Sequence, residues 1–315
     1  MILKIGETEF REDNIFLTLN LKESNDIIND YDKLNQRLKD DGFLLLRNFH
    51  NRSLVNESRN SILSRLAALD KLDPHSDMSL GIINPENDSP PTYSARNSQD
   101  LKTHSLKKLL YGKNVLSFFN KLFKNPAIGL NFQWLRTVGP GVSSPIHSDA
   151  PFMSRGSDRI LTCWTPLGDI PIELGPLVIC ENSHTWKKVV DTYGKSDVDR
   201  DLTTGTFSED PKEMVNKFGG RWATTEFRIG DIVILNMNII HASLLNMTNR
   251  LRISCDTRYQ PLSDPIDSRW SGNNPKGHEQ LWKKGVKLES VNLSLIHISE
   301  PTRPRLISYA VFCLK

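Results

Sequence analysis

The sequence predicts a mainly β fold, a double-sheet jelly roll behind a helical N-terminal cover. Three observations predict it. Apolar residues recur at helical spacing up to about residue 125, and from about Ala127 the period becomes that of strands. The strand-like runs are short, numerous and separated by turns containing Gly and Pro. Helices first and many short strands afterwards place the helices against a sheet core.

The elements follow in chain order. Residues 25–40 put apolar groups at helical spacing, and Asp41-Gly42 ends the run. Phe43-Leu44-Leu45-Leu46 reads as a short buried strand. Ser53 is a candidate N-cap for a second helix reaching about Leu69. Residues 70–98 are rich in Asp, Ser, Asn and Pro, including 88–91, and a loop this long in a compact domain is a candidate lid or binding loop. Two short helices are expected over 99–124. Candidate strands then cover 128–138, 146–149, 159–166, 176–180, 224–228, 231–236 and 250–259, with clear turns at Gly139-Pro140-Gly141 and Arg228-Ile229-Gly230-Asp231. Residues 185–220, carrying Asp197, Asp199, Asp201, Glu209 and Asp210, form a second polar lid candidate. No internal repeat is visible. The expected organisation is one domain over 1–293, with the helical cover at about 25–125 and the jelly-roll core at about 127–260.

The segment 294–315 differs from the rest: it resembles a translated sequencing adaptor, so it is read as a non-native tail, with the genuine chain stopping near Val291 to Leu293. His297 and Cys313 therefore carry no functional weight.

Composition removes several classes of function. The 40 basic and 37 acidic side chains leave a formal charge of +3, which gives no electrostatic reason to expect nucleic acid or an anionic membrane as partner. No apolar run approaches the ~18 residues of a membrane span, and the start lacks a signal-peptide core, so a cytoplasmic protein without a membrane or protein partner is expected. Cys163, Cys180, Cys255 and Cys313 include no C-x-x-C pair, and three of them lie in apolar strand-like runs, as reduced core thiols do.

The chemistry concentrates in Pro145-Ile-His147-Ser-Asp149-Ala-Pro151 and in Ile240-His241-Ala-Ser243. A lone His-x-Asp is commonly a hydrogen-bonded surface pair. In a strand, however, residues i and i+2 share a face, so His147 and Asp149 can aim at one ion while Ser148 points away. His241, at the end of an apolar strand-like run, supplies a third ligand from a distant segment. Two imidazoles and a carboxylate make the facial triad of a non-haem Fe(II) site, which leaves three coordination positions for a bidentate 2-oxo acid and O2. Arg250, Arg252 and Ser254 share one face of the next strand, where an arginine can hold a carboxylate through paired hydrogen bonds; the bland reading of these arginines is a solvated face.

These residues carry a resemblance. His147-Ser-Asp149, Trp164-Thr-Pro-Leu167, Gly175-Pro-Leu177, Asn182-Ser-His184, Gly230-Asp231, His241-Ala-Ser243 and Arg252 together resemble the phytanoyl-CoA dioxygenase family, over about Leu34 to Trp282. The resemblance implies a double-stranded β-helix, the jelly roll expected above, and an Fe(II)- and 2-oxoglutarate-dependent oxygenase that releases succinate and CO2. It implies His147, Asp149 and His241 as iron ligands, Arg252 on the distal carboxylate of 2-oxoglutarate, Ser243 beside it, and Gln133 as a polar residue lining the cosubstrate pocket. Trp164 falls near that pocket or in the core. His184, where the family pattern has Gly-Ser-His and this chain has Asn182-Ser183-His184, is expected to be structural. With Asp149 present, hydroxylation is expected rather than the halogenation of related enzymes that carry a small residue there.

Two other classes compete. A zinc hydrolase would need a general base, and no Glu adjoins either histidine as in His-Glu-x-x-His. A serine hydrolase through Ser148 would need a Gly-x-Ser-x-Gly elbow, which is absent. A non-catalytic jelly-roll binding module would have no need of all four of His147, Asp149, His241 and Arg252. The polar, acidic lid candidates point to a small polar metabolite or a modified amine as substrate rather than an acyl-CoA.

Overall fold

The computed structural model describes residues 2–11, 15–87, 92–94 and 98–290. The tail 294–315 and the Asp-Ser-Pro-Pro run at 88–91 lie outside them.

The chain opens with strands, which the sequence reading lacked. β1 (Ile2–Ile5) and β2 (Thr8–Arg11) form a hairpin, and β3 (Leu17–Thr18) follows. Leu3, Ile5, Phe10 and Leu17 are buried together, an alternation too short to register as strand periodicity. The cover comes next: α1 (Tyr31–Asp41), β4 (Phe43–Leu46), α2 (Arg52–Ala68), α3 (His104–Tyr111) and α4 (Lys113–Phe123). Asp30 caps α1 by accepting from Lys33 N, and Gly42 ends it at φ +80°. Asn51, not Ser53, caps α2, accepting from Leu54 N, because the helix begins one residue before Ser53.

The core strands are β5 (Ala127–Gly129), β6 (Trp134–Val138), β7 (Leu161–Pro166), β8 (Leu177–Cys180), β9 (Trp222–Ala223), β10 (Ile232–Asn236), β11 (His241–Ser243) and β12 (Arg252–Pro261), with α5 (Lys187–Asp191) and α6 (Pro211–Phe218) between β8 and β9. They form two sheets of a jelly roll. The larger runs β4-β10-β7-β12-β5, with β6 also on β12; the smaller runs β11-β8-β9-β3. All pairings are antiparallel except β3 with β9. The expected strand at 128–138 is two strands because the chain leaves β12 between Gly129 and Trp134. The expected strand at 224–228 keeps only a bridge from Phe227 to Ile170; its ladder forms earlier, at Trp222 and Ala223.

Alternation along the larger sheet sets two cores. Leu44, Leu46, Ile232 and Ile234 face α1 and α4, whereas Phe43, Leu45, Val233 and Leu235 face the smaller sheet across Leu177, Ile179 and Ala223. Both faces of β4 are thus covered, which is why its four residues are all apolar. A third core joins α2 and α3 to Leu135, Ile253 and Cys255 on the outer face of β6 and β12. Leu72 packs in that core and bridges Ile83, and Ile82 bridges Arg250, so 70–87 lies along α2 and is no free lid. Cys163, Cys180 and Cys255 are free and buried, as expected. Among the described residues no helix is long and apolar enough to cross a membrane.

Candidate metal centre and cosubstrate pocket

Backbone pairing creates the ligand set. His147 and His241 are directly opposed: His147 N donates to His241 O at 3.0 Å and His241 N to His147 O at 2.8 Å. Residues paired in this way project their side chains from one face, and the two imidazole centroids are 4.3 Å apart. The strand expected at 146–149 is shorter than that. Asp149 is already helical at φ −77°, ψ −17°, and caps a turn at Ala150–Phe152 whose second residue is Pro151. A tight turn therefore brings Asp149 beside His147, with His147 Nε2 3.9 Å from Asp149 Oδ1. The ligand atoms of His147, Asp149 and His241 all lie within 4.8 Å of one another.

Each candidate donor group is oriented as a metal ligand would need to be. His147 Nδ1 lies 2.8 Å from Pro145 O, and His241 Nδ1 lies 3.1 Å from Ile239 O. A carbonyl only accepts, so each Nδ1 carries the proton and each Nε2 presents its lone pair to the cluster. Burial, with His241 beside it, pushes His147 down to about 3, which keeps its ring neutral. Burial alone would raise Asp149, but Arg258, the two histidines and a hydrogen bond from Thr162 outweigh it and hold the carboxyl well below the usual range. Arg258 Nη2 donates to Asp149 Oδ1 at 2.9 Å, and Thr162 Oγ1 donates to Oδ2. Two imidazoles and one carboxylate at this separation fit a divalent non-haem iron.

Arg252 stands on the first residue of β12 and is 1% exposed. It shares a narrow cavity with His147, His241, Ser243, Thr162 and Trp164, so four of the expected site residues meet there. Its Nε and Nη2 have no hydrogen-bond partner among the described residues, although both are buried. A fully buried guanidinium with free donors is costly unless an anion completes it, and this is the observation that fits the carboxylate of a 2-oxo acid. Ser243 Oγ accepts from Ser144 N at 2.7 Å, at the wall of the same cavity.

Other expectations move. Gln133 lines a separate cleft with Lys102, His104 and Tyr111 and neither cavity at the triad. The reason is parity: Trp134 and Arg136 face the interior, so Gln133 falls with Leu135 on the opposite face. Arg250 lies before the strand, outside the cavity, and donates from Nε to Leu80 O at 3.0 Å. His184 is away from the triad: its Nε2 meets Lys39 O at 3.1 Å, and a Cβ on Gly42 would come within 2.6 Å of its Nδ1. Ser148 is buried outside both cavities, its N donating to Tyr193 Oη at 3.1 Å.

Three further site residues were missed by sequence reasoning, namely Arg136, Asp256 and Arg258. A second cavity, of about 200 Å3, opens on the other side of the triad and is walled by Trp134, Arg136, Phe152, Arg258, His278 and Trp282. Thr204 and Thr206 supply what 185–220 contributes to it. The acids of that insertion serve elsewhere: Asp197 accepts from Arg155 Nε at 2.6 Å, and Asp199 from Arg269 Nη1 at 2.6 Å, with His278 Nδ1 3.0 Å away. They brace the segment carrying His278 and Trp282 and do not make an acidic lid.

The profile of the phytanoyl-CoA dioxygenase family matches residues 38–254. The chain belongs to that family, and with its triad is an enzyme of the Fe/2-oxoglutarate-dependent oxygenase class. Among solved structures, EctD from S. alaskensis with 2-oxoglutarate and 5-hydroxyectoine is similar at a TM-score of 0.53 and 15% identity, covering 89% of this chain and 93% of that one. The epimerase SnoN in complex with Fe3+, alpha ketoglutarate and nogalamycin RO is similar at 0.52 and 16%, covering 78% and 92%. The carbocyclase SnoK from nogalamycin biosynthesis is similar at 0.51 and 14%, covering 74% and 84%. Identities this low carry the fold alone, a jelly roll. No curated protein sequence matches the chain.

Proposed function

We propose that the protein is an Fe(II)- and 2-oxoglutarate-dependent dioxygenase that hydroxylates a C–H bond of a small organic substrate, releasing succinate and CO2. The observation that carries this reading is one narrow pocket that His147 and His241 of the donor triad share with an arginine whose buried Nε and Nη2 have no partner among the described residues. His147, Asp149 and His241 would hold the metal, and Arg252 with Ser243 would bind the distal carboxylate of 2-oxoglutarate. Iron and 2-oxoglutarate, when bound, supply with O2 the oxidising power that C–H chemistry requires. Arg258 and Thr162 fix Asp149 from both oxygens, which keeps the carboxylate from swinging out of the cluster. Phe152, Trp134 and Trp282 give the second cavity apolar walls beside the triad. No glutamate lines either cavity, so a zinc hydrolase would lack its base.

The neighbouring structures include an epimerase and a carbocyclase. Hydroxylation is favoured here as the default outcome of a triad with its carboxylate intact. The test is succinate formation that requires Fe(II), 2-oxoglutarate and O2 together. Purified protein should release succinate above a metal-free control, and His241→Ala should not. Failure of iron-loaded protein to bind 2-oxoglutarate or release succinate would overturn the proposal.

A further inference from the structure

The second cavity is walled by a guanidinium, that of Arg258, whose hydrogen-bonding capacity the described residues leave partly unused. Arg258 is 2% exposed; its Nη2 donates to Asp149 Oδ1 at 2.9 Å and its Nη1 lies 3.7 Å from Asp256 Oδ2. Its guanidinium carbon sits 3.9 Å from the Trp134 ring centroid, while Nε and Nη1 have no hydrogen-bond partner among the described residues. Arg136 flanks the same cavity and is tied from Nε to Asp256 Oδ2 at 3.1 Å. Around the triad, Arg136, Arg252 and Arg258 give +3 against −2 from Asp149 and Asp256, so 3 − 2 leaves +1. A divalent metal and a 2-oxoglutarate dianion cancel each other and leave that +1 unchanged. A net charge left in such a site is costly, and Arg136 and Arg258 are the two guanidiniums that line the second cavity.

We infer that the substrate is a small organic monocarboxylate whose carboxylate is received by Arg136 and Arg258, with its apolar body against Phe152 and Trp282. The inference rests on the oxygenase reading above and names its substrate class. One negative charge balances the site. A planar carboxylate matches the guanidinium fork, whereas a cationic amine would meet two like charges. At about 200 Å3 the cavity lies below the ~300–1,000 Å3 of pockets for drug-sized ligands, so the acid is metabolite-sized. This replaces the modified amine expected from the sequence, because Asp197, Asp199 and Asp201, among the acids behind that expectation, are engaged in ion pairs outside the cavity.

The test uses the whole protein, anaerobic, loaded with Mn(II) and saturated with 2-oxoglutarate so that Arg252 is occupied. Calorimetry compares matched acids and amides: benzoate with benzamide, and 3-phenylpropionate with its amide. At least one acid should bind tenfold or more tightly than its amide. Arg136→Gln should lose at least tenfold of the acid affinity, and Arg136→Lys, which keeps the charge, should regain most of it. Amides binding as tightly as acids, no acid binding at all, or an unchanged acid preference in Arg136→Gln would overturn the inference while leaving the oxygenase reading standing. Failure of the wild type to bind 2-oxoglutarate with Mn(II) would overturn both.

Discussion

Replacing Arg252 with Met should strengthen the unliganded protein and ruin its cosubstrate site. Burial, with Arg136 nearby, pushes the Arg252 guanidinium down to about 10 from the ordinary 12.5. At about 1.4 kcal/mol per tenfold, that is a destabilisation of about 3 kcal/mol carried by the charge in the unliganded fold. Nε and Nη2 are buried without partners, so their removal strands nothing, and Met retains most of the chain's packing. Two charge-assisted hydrogen bonds to a carboxylate are worth about 1.5–3 kcal/mol each, so 2-oxoglutarate affinity should fall ~10²–10⁴-fold. The assay pairs a melting curve of metal-free protein with calorimetry of 2-oxoglutarate in Mn(II). Arg252→Met should melt several degrees higher and bind 2-oxoglutarate at least a hundredfold more weakly. A lower melting temperature with unchanged affinity would refute the reasoning, because it would mean that Arg252 is satisfied by the fold itself.

Three other substitutions test separate parts of the structure. Arg258→Met should act with the opposite sign, costing about 3–5 kcal/mol in urea denaturation, because it strips a buried partner from Asp149. His50 is buried with Nε2 unpartnered among the described residues, and burial pushes it down to about 4. Since the unfolded state binds the proton first, this contribution is intact above about 6.5 and is lost as pH falls towards 4, by about 3 kcal/mol; His50→Phe should flatten the stability profile across that window. Gly42→Ala should destabilise by about 1–3 kcal/mol, since φ is +80° and the added Cβ meets His184, while leaving 2-oxoglutarate affinity intact if His184 is structural.

Much of the site was legible because its chemistry is local. His147 and Asp149 are two residues apart, and the apolar run before His241 predicts a strand that delivers it to the same place. The structure keeps the triad and changes the reason: a turn at Pro151, not strand alternation, presents Asp149. Arg252, Asp256 and Arg258 sit at even spacing on one strand, so period-2 reading extended from Arg252 would have found the other two. Gln133 failed by one residue, which in a strand is the whole difference between interior and exterior. What no local pattern announces is the return of 262–290 over the triad, bringing His278 and Trp282 to the second cavity through ion pairs to Asp199 and Asp197. Those contacts join residues roughly seventy to eighty positions apart.

The most direct test is anaerobic addition of Fe(II) and then 2-oxoglutarate, read as visible absorption. The wild type should develop the metal-to-ligand charge-transfer band of a 2-oxo acid chelated to ferrous iron, and Asp149→Ala and Arg252→Met should each lose it at the same ligand concentration. A wild type that binds iron but gives no band, or a band unchanged in both variants, would contradict the account.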